Sequence, residues 1–278
     1  MKKILILIIF LALGVFLFWS YRSWFKTDSF RAIFFDVGQG DSALVVTPGG
    51  QTILIDGGPD NKVLRGLEKI LPFWRRTIDL LIITHAHDDH VTGLIEVSKR
   101  YKIKNILYNN LAFKTPALDA LIKVFKENKF KMTSVETGMI FKLDNNCSIN
   151  ILQASKDTEK DQNDYSIVSM FNCLGRKILF SGDAGVGVEK KLLSSNLDLS
   201  ADIFKVSHHG SFSANSLDFL KVVNPKIAVI SVGIDNKFGH PASLILNRLK
   251  ELAVDIYRTD KQGSLIFLAN HQIIKLAR

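Results

Sequence analysis

The stretch Thr84-His85-Ala86-His87-Asp88-Asp89-His90-Val91-Thr92-Gly93 puts three of the chain's seven histidines within six positions, with two aspartates between them. Imidazole and carboxylate at such close spacing are the donor set of a Zn²⁺, Mn²⁺ or Fe site. His85 and His87 are two apart, so in extended chain they point the same way and can chelate one cation. Asp89 and His90 follow after a turn and can face a second. A polar, histidine-rich surface loop is the competing reading, and the flanking sequence argues against it. Ile78-Asp79-Leu80-Leu81-Ile82-Ile83 reads as a buried strand, and Val91 to Tyr101 carries apolar residues at helical spacing. The cluster therefore falls on a strand-to-helix loop, where side chains converge and open coordination positions can remain.

A two-cation site needs further donors. Asp183, in Phe180-Ser181-Gly182-Asp183, caps an apolar strand and is the candidate bridging carboxylate, which would also damp repulsion between the two cations. Its competing role is N-cap of a helix beginning at Val186. His208 and His209 follow another strand and precede Gly210. One of them should complete the second cation's shell, while the other holds substrate or moves protons; the sequence leaves open which. His240, in Phe238-Gly239-His240-Pro241, can reach the same rim. The expected ligands are thus His85, His87, Asp89, His90, Asp183, His208 and His209, around two divalent ions, Zn²⁺ or Mn²⁺. Asp89, His209 and His240 are the expected catalytic residues. Lys205, Ser211 and Lys237 are candidate phosphate-binding neighbours, and His271 is expected to be exposed and inert.

The elements that must position these residues follow along the chain. Met1-Lys2-Lys3 leads into an uncharged apolar run from Ile4 to Ser20, about 17 residues, near the lower limit for spanning a bilayer. Residues 1–28 are read as a membrane anchor or signal segment. The expectation is an uncleaved single-pass anchor with Trp19, Tyr21 and Trp24 at the interface and the catalytic domain outside the cytoplasm. Residues 29–278 hold no linker-like stretch and are read as one catalytic domain. Its first three short strands, between Phe30 and Ile55, are separated by Gly-rich turns and form an antiparallel meander. A hairpin spans Ser166 to Phe180, and helices and strands alternate after Asp183. Ile55-Asp56-Gly57-Gly58 and Ser181-Gly182-Asp183-Ala184-Gly185 each follow the last strand of such a hairpin, a faint internal duplication. Two sheet-plus-helices units of this kind can stack sheet on sheet with helices outside.

Composition sets broad bounds. The net charge of +9 suits a polyanionic partner such as nucleic acid, an envelope polymer or lipid headgroups. The only two cysteines, Cys147 and Cys173, are too few for a disulfide scaffold and show no zinc-type spacing, although one bridge between them is possible.

The pattern His-x-His-x-Asp-His resembles the signature of the metallo-β-lactamase superfamily. Within it, several stretches are similar to the extracellular domain of the ComEC competence proteins. These are Phe35-Asp36-Val37-Gly38-Gln39-Gly40-Asp41-Ser42, Leu54-Ile55-Asp56-Gly57-Gly58, Thr84 to Gly93, Asn163-Asp164-x-Ser166, Phe180 to Asp183, Lys205 to Ser211, Ile230 to Gly233, Gly239-His240-Pro241, and Arg258-Thr259-Asp260 with Gly263. The resemblance implies an α+β, four-layer αββα sandwich, a metal-dependent hydrolase, a nuclease role on DNA at the cell surface and a link to DNA-uptake machinery. Two departures stand out. Many superfamily members carry a histidine where this chain, between His90 and His208, offers only Asn163 or Asp164; that change favours a harder ion such as Mn²⁺. ComEC proteins also carry a multi-helix channel, which a single apolar segment cannot form. The leading expectation is phosphodiester hydrolysis of DNA. The alternatives are a phosphodiesterase or esterase on an envelope polymer such as teichoic acid, and, in another class, a membrane-anchored DNA-binding protein with a structural metal.

Overall fold

Phe30, Ala32 and Phe34 of β1 (Phe30–Phe34) alternate with Ile33, and both sets are buried. A strand buried on both faces must lie in an inner layer, with a second sheet on one side and helices on the other. The computed structural model, which describes residues 2–25, 27–109, 115–144, 146–155 and 161–277, has that construction. Helix α1 (Lys2–Phe25) precedes β1. Strands β2 (Ala43–Val46) and β3 (Thr52–Ile55) complete a meander. Then α2 (Lys62–Ile70), β4 (Thr77–Ile83), α3 (Asp88–Arg100), β5 (Lys102–Tyr108), α4 (Pro116–Glu127) and β6 (Lys131–Ser134) alternate. The second half begins with β7 (Ile140–Lys142), β8 (Cys147–Gln153), β9 (Val168–Cys173) and β10 (Arg176–Phe180). It continues through α5 (Val186–Leu193), β11 (Ile203–Lys205), α6 (Leu217–Val223), β12 (Ile227–Ile230), α7 (Ser243–Glu251), β13 (Asp255–Arg258) and α8 (Thr259–Gln262). A last hairpin, β14 (Leu265–Ala269) and β15 (Ile274–Ala277), returns to the first sheet.

The sheets run β15-β14-β1-β2-β3-β4-β5-β6 and β13-β12-β11-β10-β9-β8-β7. Between them Phe30, Phe34, Ile53, Ile55, Phe171, Ile178, Phe180 and Phe267 form the central core. Phe30 and Phe171 meet edge to face across it, ring centroids 5.1 Å apart. Val63, Leu67, Val91, Leu94, Leu121 and Phe125 of α2, α3 and α4 cover the outer face of the first sheet. Val188, Leu192, Phe219, Leu220, Ile245 and Leu249 of α5, α6 and α7 cover the second. The four layers are those expected.

The two halves repeat one plan. β1 to β3 are antiparallel and β3 to β6 parallel. Likewise β7 to β10 are antiparallel and β10 to β13 parallel. In each sheet the strand at the switch, β3 or β10, is followed by an aspartate, Asp56 or Asp183. Carboxyl ends of strands at such a switch point are where α/β sheets leave a crevice for ligands.

Two sequence expectations need correction. Helix α3 starts at Asp88 rather than Val91, so Asp89 and His90 lie in its first turn, and His87 stands at the N-cap position. The competing role for Asp183, N-cap of α5, falls away, because Gly185 takes that place. Helix α1 covers the expected anchor, and its side chains from Ile4 to Phe18 are exposed. Among the described residues, however, no helix is long and apolar enough to cross a membrane. The side chains of Trp19, Tyr21 and Trp24 lie outside the described residues. Cys147 and Cys173, directly opposite on β8 and β9, are joined by a disulfide.

Candidate metal centre

β4 ends at Ile83, and the chain leaves it in extended form through Thr84 to His87 before α3 begins. That geometry brings His85 Nε2 to 3.0 Å from His87 Nδ1. Asp183 reaches in from the second sheet, its Oδ2 3.9 Å from His85 Nε2. Its Oδ1 lies 3.4 Å from His90 Nε2, and its Oδ2 3.6 Å from His209 Nε2. His209 Nε2 lies 3.3 Å from Asp89 Oδ2. The donors therefore fall into two sets that share no residue, His85–His87–Asp183 and Asp89–His90–His209, with a third grouping, Asp41–His90–Asp183, lying across them. His209 joins the second set, while His208, with Nε2 3.9 Å from Asp183 Oδ2, borders the centre and is partly exposed.

The rings of His85, His90 and His209 are aimed from behind. His90 Nδ1 meets Asp56 Oδ2 at 2.9 Å. Thr84 donates its backbone N–H (2.9 Å) and its hydroxyl (2.7 Å) to the same carboxylate. That hydroxyl lies 3.1 Å from His85 Nδ1. His209 Nδ1–H donates to the Ser231 carbonyl at 2.9 Å, with Asp41 Oδ1 at 3.3 Å. Such partners fix the tautomer and leave the opposite nitrogen free for a cation. Asp56, Asp41 and the Ser231 carbonyl were not among the expected site residues. Asp56 had a signal, its position corresponding to Asp183 in the repeated half.

Close backbone approach explains the glycines here. A Cβ on Gly93 would stand 2.0 Å from the Gly57 oxygen, and one on Gly40 (φ +141°) 2.2 Å from the Asp89 oxygen. Three functional residues also take left-handed backbone: Asp56, His208 and His209, with φ of 55°, 48° and 53°. Strain of this kind persists only where surroundings over-determine it. Ser207 Oγ donates to the Ala184 carbonyl, and buried Asn215 bridges the Ser207 N–H, through its Oδ1, and the Ser207 carbonyl, through its Nδ2. Asn215 is held in turn by Glu189.

The electrostatics call for a cation. Burial works against ionisation throughout, yet the mutual fields prevail. His90 is pushed well above its ordinary pKa by Asp183, Asp56 and Asp89, against the effect of burial. His209 is driven to about 10, burial being overcome chiefly by Asp183 and Asp41. Asp183 is held well below the usual carboxylate range, burial being outweighed by His209 and His90. His85 goes the other way, pushed well below its ordinary value by burial and by His90, so it offers a neutral ring. His90 Nε2, His209 Nε2, Asp183 Oδ1 and Asp41 Oδ1 are buried without a hydrogen-bond partner. Buried polar atoms are rarely left so, and here they converge. The residues fit divalent cations.

Residues 35–234 match the family described as the metallo-beta-lactamase superfamily. The chain belongs to that superfamily. It is 24% identical over 255 residues to ComE operon protein 3 of Bacillus subtilis (strain 168), covering 86% of this chain and 33% of that protein. It is 27% identical over 253 residues to Competence protein ComA of Neisseria gonorrhoeae, covering 90% and 34%. The chain thus spans about a third of the length of these curated relatives. In structure it resembles the metallo-beta-lactamase fold protein YhfI of Bacillus subtilis, at TM-score 0.59 and 11% identity over 87% of this chain and 100% of that one. The superfamily places the chain among metal-dependent hydrolases.

The remaining expected residues divide. His240 sits on the rim, its ring 5.8 Å from that of His208. Lys205 is buried and paired with Asp41, and it also donates to the Val206 carbonyl at 3.0 Å. Its cation is therefore spent inside the fold rather than offered to phosphate. Ser211 is buried, with its hydroxyl against that of Ser213, whereas Lys237 is exposed. Asn163 and Asp164 lie in a short 3₁₀ turn, Gln162–Tyr165, and neither groups with the donor atoms. His271 is exposed.

Proposed function

We propose that this metallo-beta-lactamase superfamily protein is a phosphodiesterase that cleaves DNA outside the cytoplasm, held at the membrane through its N-terminal helix. The observation that carries the hydrolytic reading is the convergence of six donor side chains from both sheets, three of which, His90, His209 and Asp183, present buried atoms without a hydrogen-bond partner. His85, His87 and Asp183 would hold one divalent ion, Zn²⁺ or Mn²⁺. Asp89, His90 and His209 would hold the other, with Asp183 shared. Such a pair supplies Lewis acidity to a phosphoryl oxygen and lowers the pKa of a water to near neutrality.

The chain's own residues do the rest. Asp56, Thr84, Asp41 and the Ser231 carbonyl lock the ligand rings, so the centre needs no rearrangement as charge develops. Asp89, partly exposed, marks the side open to substrate. His208 turns Nε2 towards the centre while Nδ1 lies 3.3 Å from the Ser213 hydroxyl, which places it to move a proton at Nε2. His240 stands one step further out, to orient the leaving side of the substrate.

Two things support DNA. One of the relatives is named a competence protein. The rim also carries exposed aromatic rings, Phe238 stacked on His240 with planes 17° apart and Phe212 beside the His208 turn, each over two-thirds exposed. Aromatic platforms of that kind bind unpaired bases at about 1–3 kcal/mol each. The Cys147–Cys173 disulfide supports a location outside the cytoplasm,. The test is cleavage of labelled single- and double-stranded DNA by the full chain with added Mn²⁺ or Zn²⁺, against Asp183→Ala. Cutting that needs metal and disappears in the variant is the expected result. Turnover of bis-p-nitrophenyl phosphate without any cutting of DNA would sink the DNA reading and point to an envelope polymer.

A further inference from the structure

The pole of the domain opposite the metal centre carries the features of a membrane-contact surface. The parallel strands β3, β4, β5 and β6 deliver their carboxyl ends to the centre, so their amino ends lie at the far pole. The loop joining α2 to β4, residues 71–76, closes that pole and presents Pro72-Phe73-Trp74-Arg75-Arg76. Phe73 is 76% exposed and Trp74 41%, their rings packed edge to face at 4.8 Å. These two large aromatic rings are packed together with much of their surface turned to solvent, and exposed apolar clusters of this sort mark contact surfaces,.

Two further observations say what covers them. The first is charge. Arg75 and Lys104 are spent on Asp79, at 2.5 and 2.6 Å. Arg76, Lys102, Lys129 and Lys131 are exposed and meet no carboxylate among the described residues. Lys102 N–H donates to the Arg76 carbonyl at 2.9 Å. Lys102, Lys129 and Lys131 line one basin of about 550 Å³ beside the loop. Each such cation near an anionic bilayer surface contributes about 1 kcal/mol. The second is where the chain enters the domain. Thr27 N–H donates to the Pro48 carbonyl at 3.2 Å, and the Gly50 carbonyl, in the same turn, accepts from Arg75 at 3.2 Å. The aromatic loop is therefore beside the point at which α1, with its exposed apolar side chains, joins the domain.

We propose that Phe73 and Trp74 insert at the interface of an anionic lipid bilayer while Arg76, Lys102, Lys129 and Lys131 meet its headgroups, so that the metal centre faces away from the membrane. This rests on the membrane-held reading above and adds which surface of the domain touches lipid. Amphipathic rings flanked by basic side chains are suited to that depth. The test uses the full chain with Trp19→Phe and Trp24→Phe, which leaves Trp74 as the only tryptophan. It is mixed with vesicles of phosphatidylcholine and phosphatidylglycerol, with or without bromine on the acyl chains near the headgroup. The expected result is co-flotation, a blue shift of Trp74 emission and its quenching by the brominated lipid. The quenching should fall severalfold when Arg76→Glu and Lys102→Glu are added. Co-flotation with Trp74 unquenched would overturn this inference and leave the membrane-held reading standing. Failure to float would remove both. A blue shift that follows protein concentration without lipid would show a second copy covering the rings instead, and would overturn it.

Discussion

Asp56 never has to touch substrate to govern the centre. It holds the His90 ring at 2.9 Å and, through Thr84, the His85 ring. Carboxylates behind ligating histidines are typically worth about 10–100-fold in metal affinity or activity. Asp56→Asn is therefore expected to lose about that much Mn²⁺ or Zn²⁺ affinity in a calorimetric titration while remaining folded by circular dichroism. The protons on His90 and His209 give a second expectation. A cation must displace them, so metal affinity should rise with pH across neutrality, and loading should release protons, read as a buffer-dependent binding enthalpy. The same raised pKa sets the sign for the metal-free protein. The stability from His209's pairing is complete below about pH 6.5 and is lost as pH rises through about 10,. A metal-free thermal melt that does not weaken over that window would count against the assignment. At this scale the candidate ligands were legible where they are contiguous, as in His85 to His90. Asp56 and Asp41 were not, because each shows itself only through partners 34 or 168 positions away, His90 and His209.

Short turns, rather than the long helices, decide how well the second cation is held. The 207–210 turn keeps His208 and His209 in left-handed backbone with Asn215 and Glu189 as its supports. Asn215→Ala leaves buried partners unsatisfied, which costs about 1–3 kcal/mol. The expected readout is a lower melting temperature together with weaker metal binding. If the variant keeps wild-type metal affinity, the turn does not need that support. The far pole has its own clamp. Asp79 accepts from Thr52 and from Arg75 and Lys104. Burial raises its pKa, but hydrogen bonds from Lys104 and Thr52 and the charges of Arg75 and Lys104 bring it below its ordinary value. Its contribution is thus present above about pH 4 and lost as pH falls through the depressed value. Asp79→Asn should lower stability at pH 7 and leave little difference from wild type in strong acid. Strands and helices were largely readable, since apolar period and turn residues mark them. The start of α3 was not, because Asp88, Asp89 and His90 are polar and carry no helical stripe.

For the whole molecule, the repeated half-plan was readable from two Asp-Gly-type strand ends, and the sheet stacking follows from strands buried on both faces. What no local pattern reveals is which end of the domain faces what. The disulfide between β8 and β9 is a stability device at this scale. With a sequence separation of 26 between its cysteines, the chain-entropy account assigns it about 3.5 kcal/mol. A Cys147→Ser/Cys173→Ser chain should melt at a correspondingly lower temperature while keeping its metal affinity.

The return of β14 to β1 bears on how the molecule is made. Phe30 pairs with Ala269, and Phe34 with Leu265. Strand β1 thus waits for a partner more than 200 residues later, and a contact of such sequence separation forms slowly,. Until it closes, β1 presents an open edge and the central core lacks Phe267. Because Asp183 and His209 come from the later half, no partial chain short of them carries both cation sets. Synthesis itself keeps the metal centre incomplete until residues from both halves have been made.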